Sequence, residues 1–268
     1  MKIGFIGVGN MAKAIIQGLL NAGFKGKNIF IHSKHKENYQ EYANQFGLNS
    51  CDSNAEVIKN TEYTFLAVKP SILDEVLLEI KDQLKIKPIN LISVVTGVSL
   101  SKIEQKLDGI KVPLIRTMPN VNVEINQGMT ALCANDNTTT EIFSDVKKLF
   151  EFLGEITVLE EKDFSTFVAL AGSSPAFVYF FIDSLSRAGV KYGINKKEAT
   201  KIVTQAVLGS AAKILKSNKN PWELVDEVSS PGGSTVVGVL AMEEAGFMTS
   251  IIKGVDATIK KDKGLEEK

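Results

Sequence analysis

The 268 residues carry 31 basic and 31 acidic side chains, so no net field is available to hold nucleic acid or an anionic membrane, and no long run of one sign occurs. The length accommodates two modest domains. Cys51 and Cys133 are the only cysteines, too few for a disulfide framework; with no basic leader ahead of an apolar stretch, a soluble cytoplasmic protein is expected.

Lys2 to Ile6 reads as a buried strand that runs into Gly7-Val8-Gly9 and a helix start. Gly7, Gly9 and Ala12 match G-x-G-x-x-G/A. In that pattern the first glycine makes a tight turn, the second admits a pyrophosphate, and the small third residue lets helix pack on strand. The diphosphate then meets the free N–H groups of the helix. Ala12, Ile15, Ile16, Leu19 and Leu20 recur at helical spacing, so the turn has the strand-to-helix context a dinucleotide site needs. Gly23 reads as the helix stop.

The second strand, Asn28 to His32, ends in Ser33-Lys34-His35-Lys36, with no acid before Glu37. A site for NAD(H) usually places Asp or Glu there for the ribose 2′-OH, whereas hydroxyl and basic groups suit a 2′-phosphate. NADP(H) is therefore expected, with NAD(H) as the alternative. Tyr39, Tyr42, Ala43 and Phe46 mark a helix closed by Gly47, and Ser53 or Asn54 caps a short helix to Asn60. The strand Tyr63 to Val68 runs into Lys69-Pro70. Ser71 and Asp74 form a capping pair for the helix through Val76, Leu77 and Ile80, and Asn90 to Val95 is a further strand before Thr96. This alternation predicts an α/β doubly wound parallel sheet with ligands at the carboxyl ends of its strands.

Next come Pro113 to Asn120, an apolar strand Met129 to Ala134, a helix with Phe143, Val146, Leu149, Phe150 and Leu153 on one face, and the strand Ile156 to Leu159. From Glu161 onward the pattern is helical, so domains of residues 1–160 and 161–268 are expected. The apolar window Phe164 to Ile182 is broken by Ser165, Thr166 and Gly172-Ser173-Ser174-Pro175, and reads as a buried helix rather than a membrane span. Phe177, Val178, Phe180, Phe181 and Ile182 exceed what so small a domain can cover, which predicts a homodimer or larger assembly.

Val228-Ser229-Ser230-Pro231-Gly232-Gly233-Ser234-Thr235-Val236-Val237-Gly238 joins two helices. Its glycines permit a turn of free N–H groups at a helix start, a ready carboxylate site, with Ser234 or Thr235 available as a cap. As it stands, the loop is equally an ordinary connector.

This loop, with Gly4-Phe5-Ile6-Gly7-x-Gly9-Asn10-Met11, Ala67-Val68-Lys69-Pro70, Arg116-Thr117-Met118-Pro119-Asn120 and Gly172-Ser173-x-Pro175-Ala176, resembles the Δ1-pyrroline-5-carboxylate reductases from Lys2 to about Lys261. The resemblance implies a Rossmann domain followed by an all-α dimerisation domain, and the NAD(P)H-dependent last step of L-proline synthesis. It implies cofactor contacts at Ile6, Gly7, Val8, Gly9, Asn10, Met11, Ser33, Lys34, Asn54, Ala67, Val68, Lys69, Pro70, Val94, Val95 and Thr96. Substrate contacts are implied at Ser230, Gly233, Ser234 and Thr235, with Glu161 a further candidate and no metal. The chain departs from the pattern at Ser174 (usually glycine), Phe177 (commonly tyrosine), Val121-Asn122 (usually Thr-Pro) and Thr96 (commonly alanine).

Reduction of a cyclic imine needs a hydride donor and a fixed geometry rather than a strong base. His32 and His35 are the only histidines and sit at the ribose end, which disfavours histidine acid–base chemistry; neither cysteine lies in a reactive motif. Thr235 is the residue expected to hydrogen-bond the imine nitrogen. Two other readings compete. A β-hydroxyacid dehydrogenase would use a lysine early in the helical domain, and Leu170 to Ala188 contains none. A non-catalytic NADPH-sensing module would not need the Val228 to Gly238 loop.

Overall fold

The computed structural model describes residues 1–264, which form two compact units: Met1–Gly172 with the residues from Lys261 onward, and Ser173–Lys260. The first unit is built on one sheet. Its elements are β1 (Ile3–Ile6), α1 (Asn10–Asn21), β2 (Ile29–His32), α2 (Gln40–Phe46), β3 (Asn49–Ser50), α3 (Asn54–Asn60), β4 (Tyr63–Leu66), α4 (Leu73–Ile86), β5 (Asn90–Ser93), α5 (Leu100–Leu107), β6 (Leu114–Pro119), β7 (Gly128–Ala134), α6 (Thr140–Glu151) and β8 (Gly154–Val158). The strands lie in the order β3-β2-β1-β4-β5-β6-β7-β8. All neighbours are parallel except β6 and β7, which a short connection joins as an antiparallel pair.

Helices cover both faces, so the central strands are buried on both sides and read as unbroken apolar runs. Ile3 and Phe5 face a core with Ile15, Ile16, Leu19, Leu149 and Phe150, while Ile6 and Leu66 face the opposite one with Val57, Ile58, Leu77 and Ile80. Phe5 stacks on Phe65 across the β1–β4 pair, 4.5 Å between centroids. Strand order reverses between β1 and β4, and the crevice beyond their carboxyl ends is where such sheets bind ligands.

Ser53 caps α3 by accepting from the Glu56 N–H, as expected. The Ser71–Asp74 pair does not cap α4: Pro70–Ile72 form a 3₁₀ turn, Ile72 precedes the helix, and Asp74 pairs with Lys106 at 2.6 Å. A proline-led turn has already set the entry there, leaving no role for a hydroxyl cap. The two residues of β3 are too few to show a period, whereas α5 was missed although Ser99 caps it and Leu100, Ile103 and Leu107 recur at helical spacing on its buried face.

The expected division near residue 160 falls earlier than the break between compact units. After β8 the chain forms α7 (Phe164–Phe167) and a π-helical turn, Val168–Gly172, and Phe164, Phe167 and Ala171 belong to the core of the sheet unit. Arg116 and Asn120 hold this segment. Arg116 Nη1 donates to Glu161 Oε1 at 2.9 Å, its guanidinium lies 4.6 Å from the Phe164 ring centroid, and Asn120 Nδ2 donates to the Ala171 carbonyl at 3.1 Å.

The second unit contains α8 (Ser174–Lys191), α9 (Lys196–Lys216), α10 (Pro221–Glu227), α11 (Ser234–Glu244) and α12, Phe247–Asp262, whose last residues pass out of it. Pro175, Ser186, Ala199 and Val203 are its buried residues. Among the described residues, the run Glu161–Lys191 is apolar and long enough by composition to cross a membrane. It is not the buried helix expected: beyond Ala171 it leaves Val178, Tyr179 and Phe180 exposed, Phe180 by 75%. Phe177, Phe181, Leu185, Met242, Phe247 and Ile251 line an apolar groove of about 520 Å³. A unit with so little interior of its own cannot offset its ordering entropy alone, and its apolar faces require a partner surface.

Candidate active site

Gly7 ends β1 with φ +95, and a Cβ there would lie 2.5 Å from the Ala67 carbonyl oxygen at the end of β4. Only glycine turns the chain here without strain. Gly7 N–H donates to the His32 carbonyl and Ala67 N–H to that of Ile6, which draws the ends of β1, β2 and β4 together. Gly9 precedes α1 in an extended conformation, with no side chain capping the helix and nothing within 4 Å of an added Cβ. Ala12 is 1% exposed against the sheet. Bare helix N–H groups, an open approach at Gly9 and a tight Gly7 turn fit a dinucleotide diphosphate.

A cavity of about 320 Å³ opens beside this turn, and Ile6, Gly7, Ser33, Lys34, Asn54 and Val68, all expected at the cofactor, line it together. Val8 is buried behind the turn, and Asn10 and Met11 open α1. Ala67, Val68, Lys69 and Pro70 follow β4, and Val94, Val95 and Thr96 follow β5, with Val95 buried and Thr96 exposed. Lys69 precedes the Pro70–Ile72 turn as an exposed residue.

Sequence reasoning missed three carboxylates in this cavity: Asp52, Glu75 and Glu79. Asp52 pairs with Lys36 at 2.9 Å, and hydrogen bonding to that ammonium holds its carboxyl below the usual range. Glu75 lies 3.5 Å from Lys34, and Glu79 accepts from Asn54 Nδ2 at 2.5 Å. The i, i+4 spacing of Glu75 and Glu79, which puts both on one helix face, was the available signal. His32 also lines the cavity; its Nδ1 lies 3.0 Å from the Cys51 carbonyl and 3.3 Å from the Tyr39 hydroxyl. Burial pushes the thiols of Cys51 and Cys133 up to about 12, so neither is a nucleophile.

Glu161 has a structural engagement: one oxygen accepts from both Arg116 and the Leu100 N–H, the latter at 2.7 Å. The Arg116 side chain is 8% exposed, and this pairing compensates its buried charge.

In the helical unit, Gly232 adopts φ +71 and Gly233 precedes α11. A Cβ on Gly233 would come within 2.6 Å of Ser230 Oγ, and Gly233 N–H donates to the Ser230 carbonyl at 3.0 Å. The loop is therefore closed on itself, with the Gly233 donor already spent. Ser234 and Thr235 occupy the first turn of α11, are exposed, and neither caps it. Their hydroxyls and the uncapped N–H groups of that turn face solvent, available to an anionic ligand.

Residues 161–265 match the family model described as pyrroline-5-carboxylate reductase dimerisation, and residues 2–97 match that described as NADP oxidoreductase coenzyme F420-dependent. The pyrroline-5-carboxylate reductase of Escherichia coli (strain K12) is 37% identical over 268 residues, covering 99% of this chain and 98% of the relative. The Arabidopsis thaliana enzyme of the same name is 31% identical, covering 99% and 96%. Among solved structures, 1-pyrroline-5-carboxylate reductase from Streptococcus pyogenes superposes with TM-score 0.87 at 38% identity, covering 98% of each chain. The Plasmodium falciparum pyrroline carboxylate reductase with NADP bound gives TM-score 0.89 at 32%, covering 100% and 98%.

Proposed function

The chain belongs to the pyrroline-5-carboxylate reductase family, and from that premise we propose that it reduces Δ1-pyrroline-5-carboxylate to L-proline with NADPH, the last step of proline biosynthesis. The observation that carries the reading is full-length similarity to reductases of that name in a chain whose Gly7-Val8-Gly9 turn and Gly232-Gly233 loop are both formed. Bound NADPH supplies the hydride; NADH is the alternative donor.

The chain's own residues bind and orient. Gly7, its own N–H spent on the His32 carbonyl, shapes the turn; Val8 to Met11 offer backbone N–H groups to the diphosphate, Ser33 and Lys34 face the ribose end, Asn54 and Ala67 to Pro70 line the crevice, and Val94 to Thr96 border the nicotinamide. Around the acceptor, the uncapped N–H groups at Ser234 and Thr235 hold the substrate carboxylate, while Ser230 and Gly233 keep the loop closed. The Thr235 hydroxyl donates a hydrogen bond to the ring nitrogen and keeps its proton; as hydride adds to the imine carbon the C=N π pair passes to nitrogen, and the one proton nitrogen needs comes from solvent. Orientation supplies much of the rate, which is why no histidine or thiol is needed. Glu161, paired with Arg116 and the Leu100 N–H, serves the packing of the segment after β8 rather than the substrate. The helical unit's uncovered apolar faces support a homo-oligomer built from interleaved dimers, acting on a small molecule in the cytoplasm.

The test is pyrroline-5-carboxylate-dependent loss of NADPH absorbance. Thr235→Ala is expected to lower kcat/KM by about 5- to 150-fold, the loss of one hydrogen bond worth about 1 to 3 kcal/mol, with NADPH affinity unchanged. Full turnover in that variant would remove Thr235 from the reaction.

A further inference from the structure

Lys34 is not alone at the ribose end of the cofactor cavity. Its ammonium stands 3.5 Å from a Glu75 carboxylate oxygen, and both residues line the same space. Glu75 comes from the first turn of α4, on the other side of the crevice from the β2 end that carries Lys34. An acid in the first turn of a helix serves the helix dipole, but Asp74 already does so from a position paired with Lys106 outside the cavity. Of the other two acids, Asp52 is engaged by Lys36 and Glu79 by Asn54. Glu75 is thus the carboxylate that opposes the cation expected to receive a 2′-phosphate.

We propose that Glu75 is a specificity-determining residue of the cofactor site, which competes for Lys34 and repels a 2′-phosphate, and so holds the NADPH/NADH preference below what Ser33 and Lys34 alone would give. The proposal rests on the reading of Ser33 and Lys34 as the ribose end of the site. A bound 2′-phosphate has to take Lys34 from Glu75 and then sit within a few ångström of that carboxylate. A 2′-hydroxyl meets neither penalty, and it gains an acceptor. Both side chains are well exposed, at 68% and 57%, so the pair is dispensable for folding and its influence falls with salt.

The experiment is calorimetric titration of 2′,5′-ADP and of 5′-AMP, which lacks the 2′-phosphate, into the wild type, Glu75→Gln and Lys34→Glu. Removing one unit charge at this distance in a water-like dielectric changes an equilibrium about fivefold. Glu75→Gln is therefore expected to bind 2′,5′-ADP about fivefold more tightly at low salt, with the gain shrinking as salt rises and 5′-AMP affinity little changed. In turnover, its NADPH/NADH ratio of kcat/KM rises by a similar factor. Unchanged or weaker 2′,5′-ADP binding by Glu75→Gln, while Lys34→Glu still weakens it, overturns the role of Glu75. If Lys34→Glu leaves 2′,5′-ADP binding unaltered, the strand-end reading falls and the proposal falls with it.

Discussion

Gly7 and Gly9 belong to one motif, yet the structure separates what each does, and alanine at each position exposes the difference. At Gly7 the backbone has φ +95, and the new Cβ would sit 2.5 Å from the Ala67 oxygen, 2.8 Å from its carbonyl carbon and 2.8 Å from Val68 Cγ1. The first two are backbone atoms at the end of β4, which the Ala67-to-Ile6 hydrogen bond holds in place. The unfavourable φ costs about 1 to 3 kcal/mol and the overlap about 1 to 3 more, so Gly7→Ala loses about 2 to 6 kcal/mol of stability. At Gly9, φ is −83 and no atom lies within 4 Å of the added methyl. Reduced freedom of the unfolded chain stabilises Gly9→Ala by about 0.4 to 1 kcal/mol, and the poorer helix cap costs about as much; the net is near zero. Its methyl projects into the opening the diphosphate uses, so NADPH binding weakens about tenfold or more, ~1.4 kcal/mol. Urea unfolding and NADPH titration of both variants separate the two effects. Gly9→Ala with wild-type stability and wild-type NADPH affinity would refute the placement of the diphosphate at this turn.

Glu161→Gln keeps an oxygen for the Leu100 N–H but leaves the Arg116 charge buried without its counter-ion; a loss of about 1 to 3 kcal/mol in urea unfolding is expected, below the full cost of a broken buried pair because Glu161 is partly solvated. A steep rise in substrate KM with stability intact would instead make Glu161 a substrate contact. The thiols of Cys51 and Cys133 ionise near 8.5 when unfolded but near 12 when buried. The unfolded state therefore loses its protons first, and stability present below about pH 8.5 is lost as pH rises toward about 12, by up to ~1.4 kcal/mol per pH unit for each thiol. Urea midpoints that stay level above pH 9, or match those of a Cys51→Ala, Cys133→Ala variant, would contradict this; so would rapid modification of the folded protein by a thiol reagent at neutral pH. Phe180→Lys places a charge on a residue 75% exposed in the protomer, and sedimentation should show a smaller assembly at equal concentration, because a charge buried at an interface without a partner is costly. An unaltered assembly would remove this face from the contact.

The sheet unit was legible because its signals are local. The run from Ile3 through Gly7 to the apolar stripe of α1 carries strand, turn and helix within one window, and the strand ends fall where ligands gather. The compact units divide at Gly172, beyond residue 160, where the sequence pattern turns helical and just before the match to the dimerisation family begins. Glu161 onward looks helical in sequence, yet the segment to Gly172 belongs with the sheet because Arg116 and Asn120, more than 40 positions earlier, hold it there. No local pattern distinguishes a helix claimed by a distant strand from one that opens a new domain. The failed Ser71–Asp74 cap has a similar cause: the motif is correct in composition, but the Pro70 turn leaves Asp74 to Lys106.

The ribose end of the cofactor cavity carries the same lesson into chemistry. Reading β2 alone finds Ser33 and Lys34 without an acid and favours a 2′-phosphate. Folding then brings Asp52 from the connection after β3 and Glu75 with Glu79 from α4 to the same cavity. A strand-end rule counts only the charges on one strand, whereas the ligand meets the summed field of every element around it. Lys34 lies 3.5 Å from a Glu75 oxygen, so on the proposed reading its contribution to cofactor choice is a difference between two partners for one ammonium. The opposing residue lies 41 positions away in the chain, on a helix whose periodicity speaks only of packing. Cofactor preference in such a site is therefore a tertiary property, and substitution of the local residue Lys34 alone measures only half of it.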